Sequence, residues 1–213
     1  MTAFLRLPRL YAIVDPLDTG RDPVTLAEAM LAGGARLLQL RCKDATTREL
    51  VALAARIAPL ARRAGALFLV NDRPDVARAV EAHGVHLGQQ DLPIAAARRV
   101  LGPDRIVGVS THDIDEARAA AAAGADYIGI GPVYETGSKV AALPARGVAL
   151  VRAVRTAVRS PIVAIGGLTP ATAPDVVAAG ADAVAMIAAL VRADDPAAAV
   201  RAALAAVGSL PPR

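Results

Sequence analysis

Short apolar runs alternate with longer amphipathic stretches along most of the chain. The runs are rich in Val, Ile and Leu and too short for helices, so they read as strands buried on both faces. They fall at Leu10–Val14, Arg36–Arg41, Leu67–Asn71, Gly84–Leu87, Ile106–Ser110, Tyr127–Gly131, Ile162–Ile165 and Ala183–Ile187. A helical pattern follows each one, near Pro23–Ala32, Thr47–Ala64, Pro74–Glu81, Pro93–Val100, Ile114–Ala123, Val148–Val158, Pro170–Ala179 and Pro196–Ala205. Proline opens several of these helices, where its missing N–H is no loss. Gly33, Gly65, Gly124 and Gly180 supply stops. The tetrapeptide Ala-Gly-Ala-Asp occurs at Ala123–Asp126 and again at Ala179–Asp182, one helix-to-strand turn used twice. Eight such units in 213 residues predict a closed (β/α)8 barrel, one domain over residues 1–213. A doubly wound open sheet is the alternative, weakened because no Gly-x-Gly-x-x-Gly turn follows the first strand.

Composition narrows the function classes. The net charge of +4 permits an anionic ligand but does not require nucleic acid, and base-stacking aromatics are scarce at 2%. Arginines such as Arg56, Arg62, Arg63, Arg98, Arg99, Arg152, Arg155 and Arg159 are scattered along helix patterns and read as solvated faces. The single cysteine, Cys42, excludes an internal disulfide and a cysteine-cluster metal site. No signal-peptide pattern or membrane-length apolar run is present, so a cytoplasmic, membrane-free protein is expected. A homo-oligomer is left open.

The rare polar letters are more informative. Lysine occurs only at Lys43 and Lys139, asparagine only at Asn71, and glutamine only at Gln39, Gln89 and Gln90. All six lie in short motifs just after apolar, strand-like runs. In a chain that otherwise uses arginine, a compact ammonium or a neutral amide marks positions where chemistry fixes the residue.

In a (β/α)8 barrel the strand-following loops carry the active residues. After the second strand, alternation places Gln39, Arg41 and Lys43 on the mouth side, with Leu40 and Cys42 facing the helices. Two cations and an amide suit a multiply charged anion such as diphosphate. Asp72 after the third strand and Asp91 after the fourth are oxygen ligands of the kind Mg2+ accepts. Each is also placed to cap the following helix. Ser110 ends the fifth strand and offers a donor to a phosphate or a ring nitrogen. His112 reads as an acid/base or a loop residue, and His83 and His86 as packed histidines. The long connection after the sixth strand holds Thr136, Gly137, Ser138 and Lys139, a hydroxyl-and-backbone cradle with a cation. Gly166 and Gly167 after the seventh strand, with Ile187 and Ala188 after the eighth, occupy a frequent phosphate position in this fold.

In order, these pieces resemble the thiamine phosphate synthase family. They are Leu10-Tyr11…Asp15, Gln39-Leu-Arg-x-Lys-Asp44, Val70-Asn-Asp-Arg73, Gly84-Val-His-Leu-Gly-Gln89-x-Asp91, Gly108-Val-Ser110, Ala125-Asp-Tyr-Ile-Gly-x-Gly-Pro132, Thr136-x-Ser-Lys139, Ala164-Ile-Gly-Gly167 and Gly180-Ala-Asp182. The resemblance implies condensation of a hydroxymethylpyrimidine diphosphate with a thiazole phosphate, releasing diphosphate through a pyrimidine cation. It implies that Gln39, Leu40, Arg41, Cys42, Lys43, Asn71, Ser110 and Lys139 hold the pyrimidine diphosphate. Asp72 and Asp91 would bind Mg2+. Thr136, Gly137, Ser138, Gly167 and the Ile187-Ala188 region would hold the thiazole phosphate. Lys43, Lys139, Ser110 and Arg41 would carry the chemistry.

The chain departs from the family pattern in three places. Cys42 stands where the family usually has Glu, and Ala188 where it usually has Ser. Glu135 and the 140–145 stretch differ from the usual lid, and the Tyr134-Glu-Thr run with Arg146-Gly147-Val148 also resembles the related thiazole tautomerases. A tautomerase using His112 as acid/base is therefore the alternative. A non-catalytic barrel that binds thiamine precursors and regulates a partner is a third.

Overall fold

The computed structural model describes residues 6–16, 19–136 and 144–208. Eight parallel strands close into a barrel in chain order: β1 (Leu10–Val14), β2 (Leu37–Leu40), β3 (Leu67–Asn71), β4 (Gly84–Leu87), β5 (Ile106–Thr111), β6 (Tyr127–Ile130), β7 (Ile162–Ala164) and β8 (Ala183–Met186). The helices are α1 (Pro23–Ala32), α2 (Thr47–Arg63), α3 (Pro74–Ala79), α4 (Ile94–Leu101), α5 (Ile114–Ala122), α6 (Gly147–Ala157), α7 (Ala173–Ala178), α8 (Ala188–Val191) and α9 (Pro196–Gly208). The open-sheet alternative is excluded because β1 pairs with both β2 and β8, in registers Ile13↔Gln39 and Tyr11↔Ala185.

Most expected elements recur with ends moved by a residue or two. Arg41 leaves the ladder after one last backbone bond to Val14 (2.9 Å) and turns to the mouth. The α7 helix starts at Ala173 rather than Pro170, because Thr169 and Thr172 first form a side-chain turn (3.0 Å). The short α8 was not foreseen; four residues are too few to show a helical period.

Alternation sets the barrel interior. The inward positions hold polar and aromatic side chains as well as aliphatic ones, including Tyr11, Gln39, His86 and Tyr127. Room for them comes from glycine. A Cβ on Gly108 would lie 2.0 Å from Tyr127 Cζ, and one on Gly129 would lie 3.1 Å from His86 Cε1. The two glycines in these strands therefore make space for rings on their neighbours.

At the opposite end of the barrel one device recurs three times. The residue just before an even-numbered strand donates its backbone N–H to the preceding strand and accepts one back on its side chain. Asp126 does so with Val107 (2.9 and 2.7 Å), and Asp182 with Ile162 (2.8 and 2.8 Å). His83 does so with Phe68, its Nδ1 accepting at 3.1 Å. Arg98 of α4 pairs with Asp126 (2.7 Å), and Arg155 of α6 pairs with Asp182 (3.0 Å). Both guanidiniums also donate to backbone carbonyls, Arg98 to Gly124 (3.1 Å) and Arg155 to Ser160 (3.1 Å). Arg98 and Arg155 are thus not part of a merely solvated face; they bind helix to strand. The repeated Ala-Gly-Ala-Asp is the sequence trace of this clamp.

His83 must keep Nδ1 unprotonated to accept from Phe68. Burial, then the charges of Arg105 and Arg62, depress its pKa from the ordinary value. A histidine whose folded pKa is depressed contributes stability above its unfolded pKa, lost as pH falls through the folded one. His83→Asp places the carboxylate of the other two clamps at this turn. The expected outcome is a smaller loss of Tm between about pH 7.5 and about pH 5.5 than in the unaltered protein, read by thermal unfolding. An unchanged pH dependence would show that His83 does not carry the acid sensitivity.

Candidate active site

Every strand sends at least one residue to a single cavity at the barrel mouth, among them Ile13, Gln39, Asn71, Ser110, Ile165 and Ile187. Its empty volume is about 410 Å3 with open solvent included. The wall is apolar on the β7–β8 side and polar on the β2–β5 side. That asymmetry suits a ligand with a flat ring and a charged end.

The charged groups are organised in pairs. Arg41 lines the cavity and is ion-paired with Asp15, which is 5% exposed. A buried carboxylate behind a guanidinium fixes the direction of its fork. Asp15 carried no role in the sequence reading, because a lone acidic residue after a strand gives no local signal.

Lys43 is more open and pairs with Asp72 at 3.3 Å. Asp72 itself has a positive φ of 61°, and its N–H donates to the His86 carbonyl (2.8 Å). Asp91 reaches back to accept the Gly88 N–H at 2.6 Å, closing the loop after β4. Neither aspartate caps a helix: the N-cap positions of α3 and α4 are held by Arg73 and Pro93, with no side-chain cap bond. Instead the two carboxylates face each other. Burial raises the Asp72 pKa, the neighbouring Asp91 carboxyl raises it further, and Lys43 only partly opposes this. Two oxygen-donor groups whose mutual repulsion is only partly relieved fit a hard divalent cation such as Mg2+, which typically takes one or two protein carboxylates. Among the described residues no cluster of three or more metal-ligating side chains exists.

Below the charges lies a chain of side-chain hydrogen bonds. Gln39 Nε2 donates to Tyr11 Oη (2.6 Å), and Tyr127 Oη donates to the same oxygen (3.0 Å). His86 Nδ1 lies 2.8 Å from Tyr127 Oη, and His86 Nε2 lies 2.8 Å from Ser110 Oγ. The His86 and Tyr127 rings stack with centroids 5.6 Å apart. His86 was expected to be packed. It is packed, and it also lines the cavity between two functional groups. Its position on the inward parity of β4, two residues from Gly84, was the signal that could have found it. Gln89 ties the β4 loop to the Ser110 carbonyl (2.6 Å), while Gln90 is exposed.

The other expected residues divide. Leu40 is fully buried in the core and Cys42 packs against it; neither lines the cavity. Burial, reinforced by Asp15 and Asp44 against the opposing Arg41, pushes the Cys42 thiol up to about 12, so it is no nucleophile at neutral pH. Thr136 is half-buried at the edge of the described loop. Gly137, Ser138 and Lys139 lie outside the described residues, as do positions 140–143. Gly167 has φ 64°, and a Cβ there would lie 2.4 Å from the Glu135 carbonyl. The paired glycines therefore let the loop after β6 lie against that after β7, with Tyr134 donating to Gly166 (3.0 Å). Ile187 reaches the cavity and Ala188 opens α8. His112 does not line the cavity; its backbone N–H and Nδ1 both meet Glu116 Oε2, at 2.8 and 2.9 Å.

A family model described as thiamine monophosphate synthase matches residues 10–190. The chain belongs to that family. It is 51% identical over 193 residues to the thiamine-phosphate synthase of Moorella thermoacetica, covering 90% of this chain and 92% of that protein. It is 47% identical over 194 residues to the thiamine-phosphate synthase of Chloroflexus aurantiacus, covering 91% and 89%. The solved thiamine phosphate pyrophosphorylase of Pyrococcus furiosus superposes with a TM-score of 0.85 at 36% identity, covering 94% of this chain and 95% of that one. No helix among the described residues is long and apolar enough to cross a membrane.

For this family member, Asp72→Asn tests whether the Asp72 carboxylate is needed for folding. Asparagine tolerates the positive φ, and the variant removes the repulsion with Asp91. The expected Tm at about pH 7.5 without metal is equal to or above that of the unaltered protein. The advantage shrinks as pH falls, because the raised pKa lets Asp72 take up a proton and relieve the repulsion itself. A Tm lowered by more than about 4 °C, roughly 1 kcal/mol or more at this size, would make Asp72 a structural anchor instead.

Proposed function

We propose that the barrel mouth performs thiamine phosphate synthesis: Mg2+-assisted condensation of a hydroxymethylpyrimidine diphosphate with a thiazole phosphate, with release of diphosphate. The observation that carries this reading is the meeting of Asp72, Asp91, Lys43 and Arg41 at the mouth of a barrel of this family. A barrel that moved only protons would have no use for two opposed carboxylates with Lys43 beside them and a second, oriented cation, Arg41, in the cavity wall.

Each group has a part. Asp72 and Asp91 would hold Mg2+, whose chemistry when bound is to neutralise charge developing on the departing diphosphate. Arg41, aimed by Asp15, binds diphosphate oxygens in a fixed direction. Lys43 is exposed on a flexible stem, so it can leave Asp72 for the diphosphate once that carboxylate has another cation beside it. Lys139 adds a further cation by its place in the sequence. Gln39, Asn71 and Ser110 line the region where the pyrimidine ring would sit. Gly167, Thr136 and the Ile187-Ala188 peptide would form the thiazole-phosphate side, joined by Gly137 and Ser138 by their place in the sequence, with α8 where such barrels often place a phosphate-binding helix. Leu40 and Cys42 take part only through their backbone. Ionisation of the carbon–oxygen bond and capture by the thiazole nitrogen need no general base; His86, which lines the cavity, is engaged by Tyr127 and Ser110. The tautomerase alternative loses support because His112 is engaged by Glu116 away from the cavity.

The test is incubation of purified protein with both substrates, with and without Mg2+, following thiamine phosphate and diphosphate. Product with Mg2+ and a loss of at least about a hundredfold in Lys43→Ala or Asp91→Asn is expected, the size of a lost charge-stabilising contact. Folded protein that converts thiazole tautomers without condensation would replace this reading.

A further inference from the structure

Asn71 lines the cavity and Asp72 pairs with Lys43 at the mouth; Arg73, next in the chain, turns to the helices instead. Its backbone N–H donates to the Asn71 carbonyl at 2.8 Å, closing a three-residue turn over Asp72, whose φ is 61°. A turn closed two residues apart at positive φ is the rare and strained form, and it persists only where its surroundings hold it. One hold is the Asp72 N–H on the His86 carbonyl (2.8 Å). Another is Pro74, buried at the start of α3, which disfavours helical backbone angles at Arg73. The third is the Arg73 guanidinium. Its Nε and Nη2 grip the Asp75 carboxylate of α3 (2.9 and 2.5 Å), and its Nη1 donates to Thr47 Oγ1 of α2 (3.0 Å). These directions are fixed by chemistry, since a guanidinium only donates. Thr47 is itself firmly placed, because Thr46 and Glu49 close a capping box around the first turn of α2.

Arg73 and Lys43 thus span the same gap. Lys43 reaches from the loop after β2 to Asp72 (3.3 Å), and Arg73 reaches from the turn after β3 back to the start of α2. The two links differ in kind. Lys43 is a point charge on an exposed stem, which a diphosphate draws away from Asp72. Arg73 is a fork whose donors are shared between two helices. Lysine in its place would reach one partner or the other, not both. We propose that Arg73 is a positioning residue: tied to Thr47 and Asp75, it holds the Lys43 loop and the Asp72 turn at a fixed spacing, so that ammonium and carboxylate still face the same diphosphate after they part. This deepens the function proposed above and rests on it for the identity of the anion. Without the tie, the loop and the turn would gain freedom once Lys43 let go, and ordering them again would cost affinity.

Thr47→Val cuts the tie without altering Asp72, Lys43 or the Arg73–Asp75 pair, and Thr47→Ser keeps the hydroxyl. The first readout is backbone hydrogen exchange in the ligand-free protein. The Asp72 and Arg73 amides are expected to exchange at least about threefold faster in Thr47→Val and at the unaltered rate in Thr47→Ser, with the barrel strands unchanged. Unchanged exchange at Asp72 and Arg73 in Thr47→Val, or faster exchange spread over the whole barrel, would overturn the proposal whatever the ligand does. The second readout is calorimetric binding of inorganic diphosphate in the presence of Mg2+. Thr47→Val is expected to weaken it about threefold to tenfold, the size of one lost hydrogen bond, while Thr47→Ser stays within about twofold of the unaltered protein. In a Lys43→Ala background the same Thr47→Val change is expected to cost less than about twofold, because the spacing it protects has lost one side. An equal loss in both backgrounds would reduce Arg73 and Thr47 to a structural role. If diphosphate with Mg2+ does not bind the unaltered protein while exchange responds as expected, the proposed function fails and the tie stands.

Discussion

Two carboxylates held face to face at the barrel mouth set the terms for everything around them. Asp72 resists ionisation because it is partly buried and because Asp91 is beside it. Asp91 closes the loop after β4 through Gly88, but neither residue caps a helix, and Asp72 sits at a backbone angle that few residues adopt. Lys43 offsets the conflict only in part, from a solvated position. Repulsion that is only partly relieved suits a site for a partner of opposite charge. The second pair, Arg41 with Asp15, is of the other kind: enclosed, balanced and oriented. One pair waits to be rearranged by ligand, and the other supplies a fixed direction for it.

The barrel beneath the mouth is built to hold those groups still. Side chains from β1, β2, β4, β5 and β6 are linked through Gln39, Tyr11, Tyr127, His86 and Ser110, and every buried side-chain nitrogen or oxygen among the described residues has a partner. Buried phenols and an imidazole are costly unless satisfied, so this interior specifies one arrangement where an aliphatic core would tolerate many. At the far end, the clamps of Asp126, Asp182 and His83 pin even-numbered strands to their predecessors. Stability is concentrated there and in the interior, leaving the mouth loops to carry chemistry.

Much of this was legible in the sequence, and the part that was not has physical causes. The eight strands announced themselves as short apolar runs between amphipathic helices, because a parallel sheet is buried on both faces. Lys43, Asn71 and Gln39 stood out because this chain otherwise uses arginine and few amides. Asp15, His86 and Tyr127 did not, since their meaning lies in partners from other strands: Asp15 serves Arg41, and His86 bridges Tyr127 and Ser110. Parity along β4 would have turned His86 inward, but only the closed barrel brings it against Tyr127. The arginines misled in the other direction. Arg98 and Arg155 share a helical spacing with solvated neighbours, and only the three-dimensional turn shows that each grips an aspartate.

The central claim is that the mouth binds diphosphate through a cation held by Asp72 and Asp91. Calorimetric titration of the ligand-free protein with inorganic diphosphate, with and without Mg2+, tests it most directly. The account predicts binding that requires Mg2+ and weakens at least about tenfold in Asp72→Asn and in Asp91→Asn. Diphosphate binding that is equally tight without Mg2+, or unchanged in both variants, would contradict it.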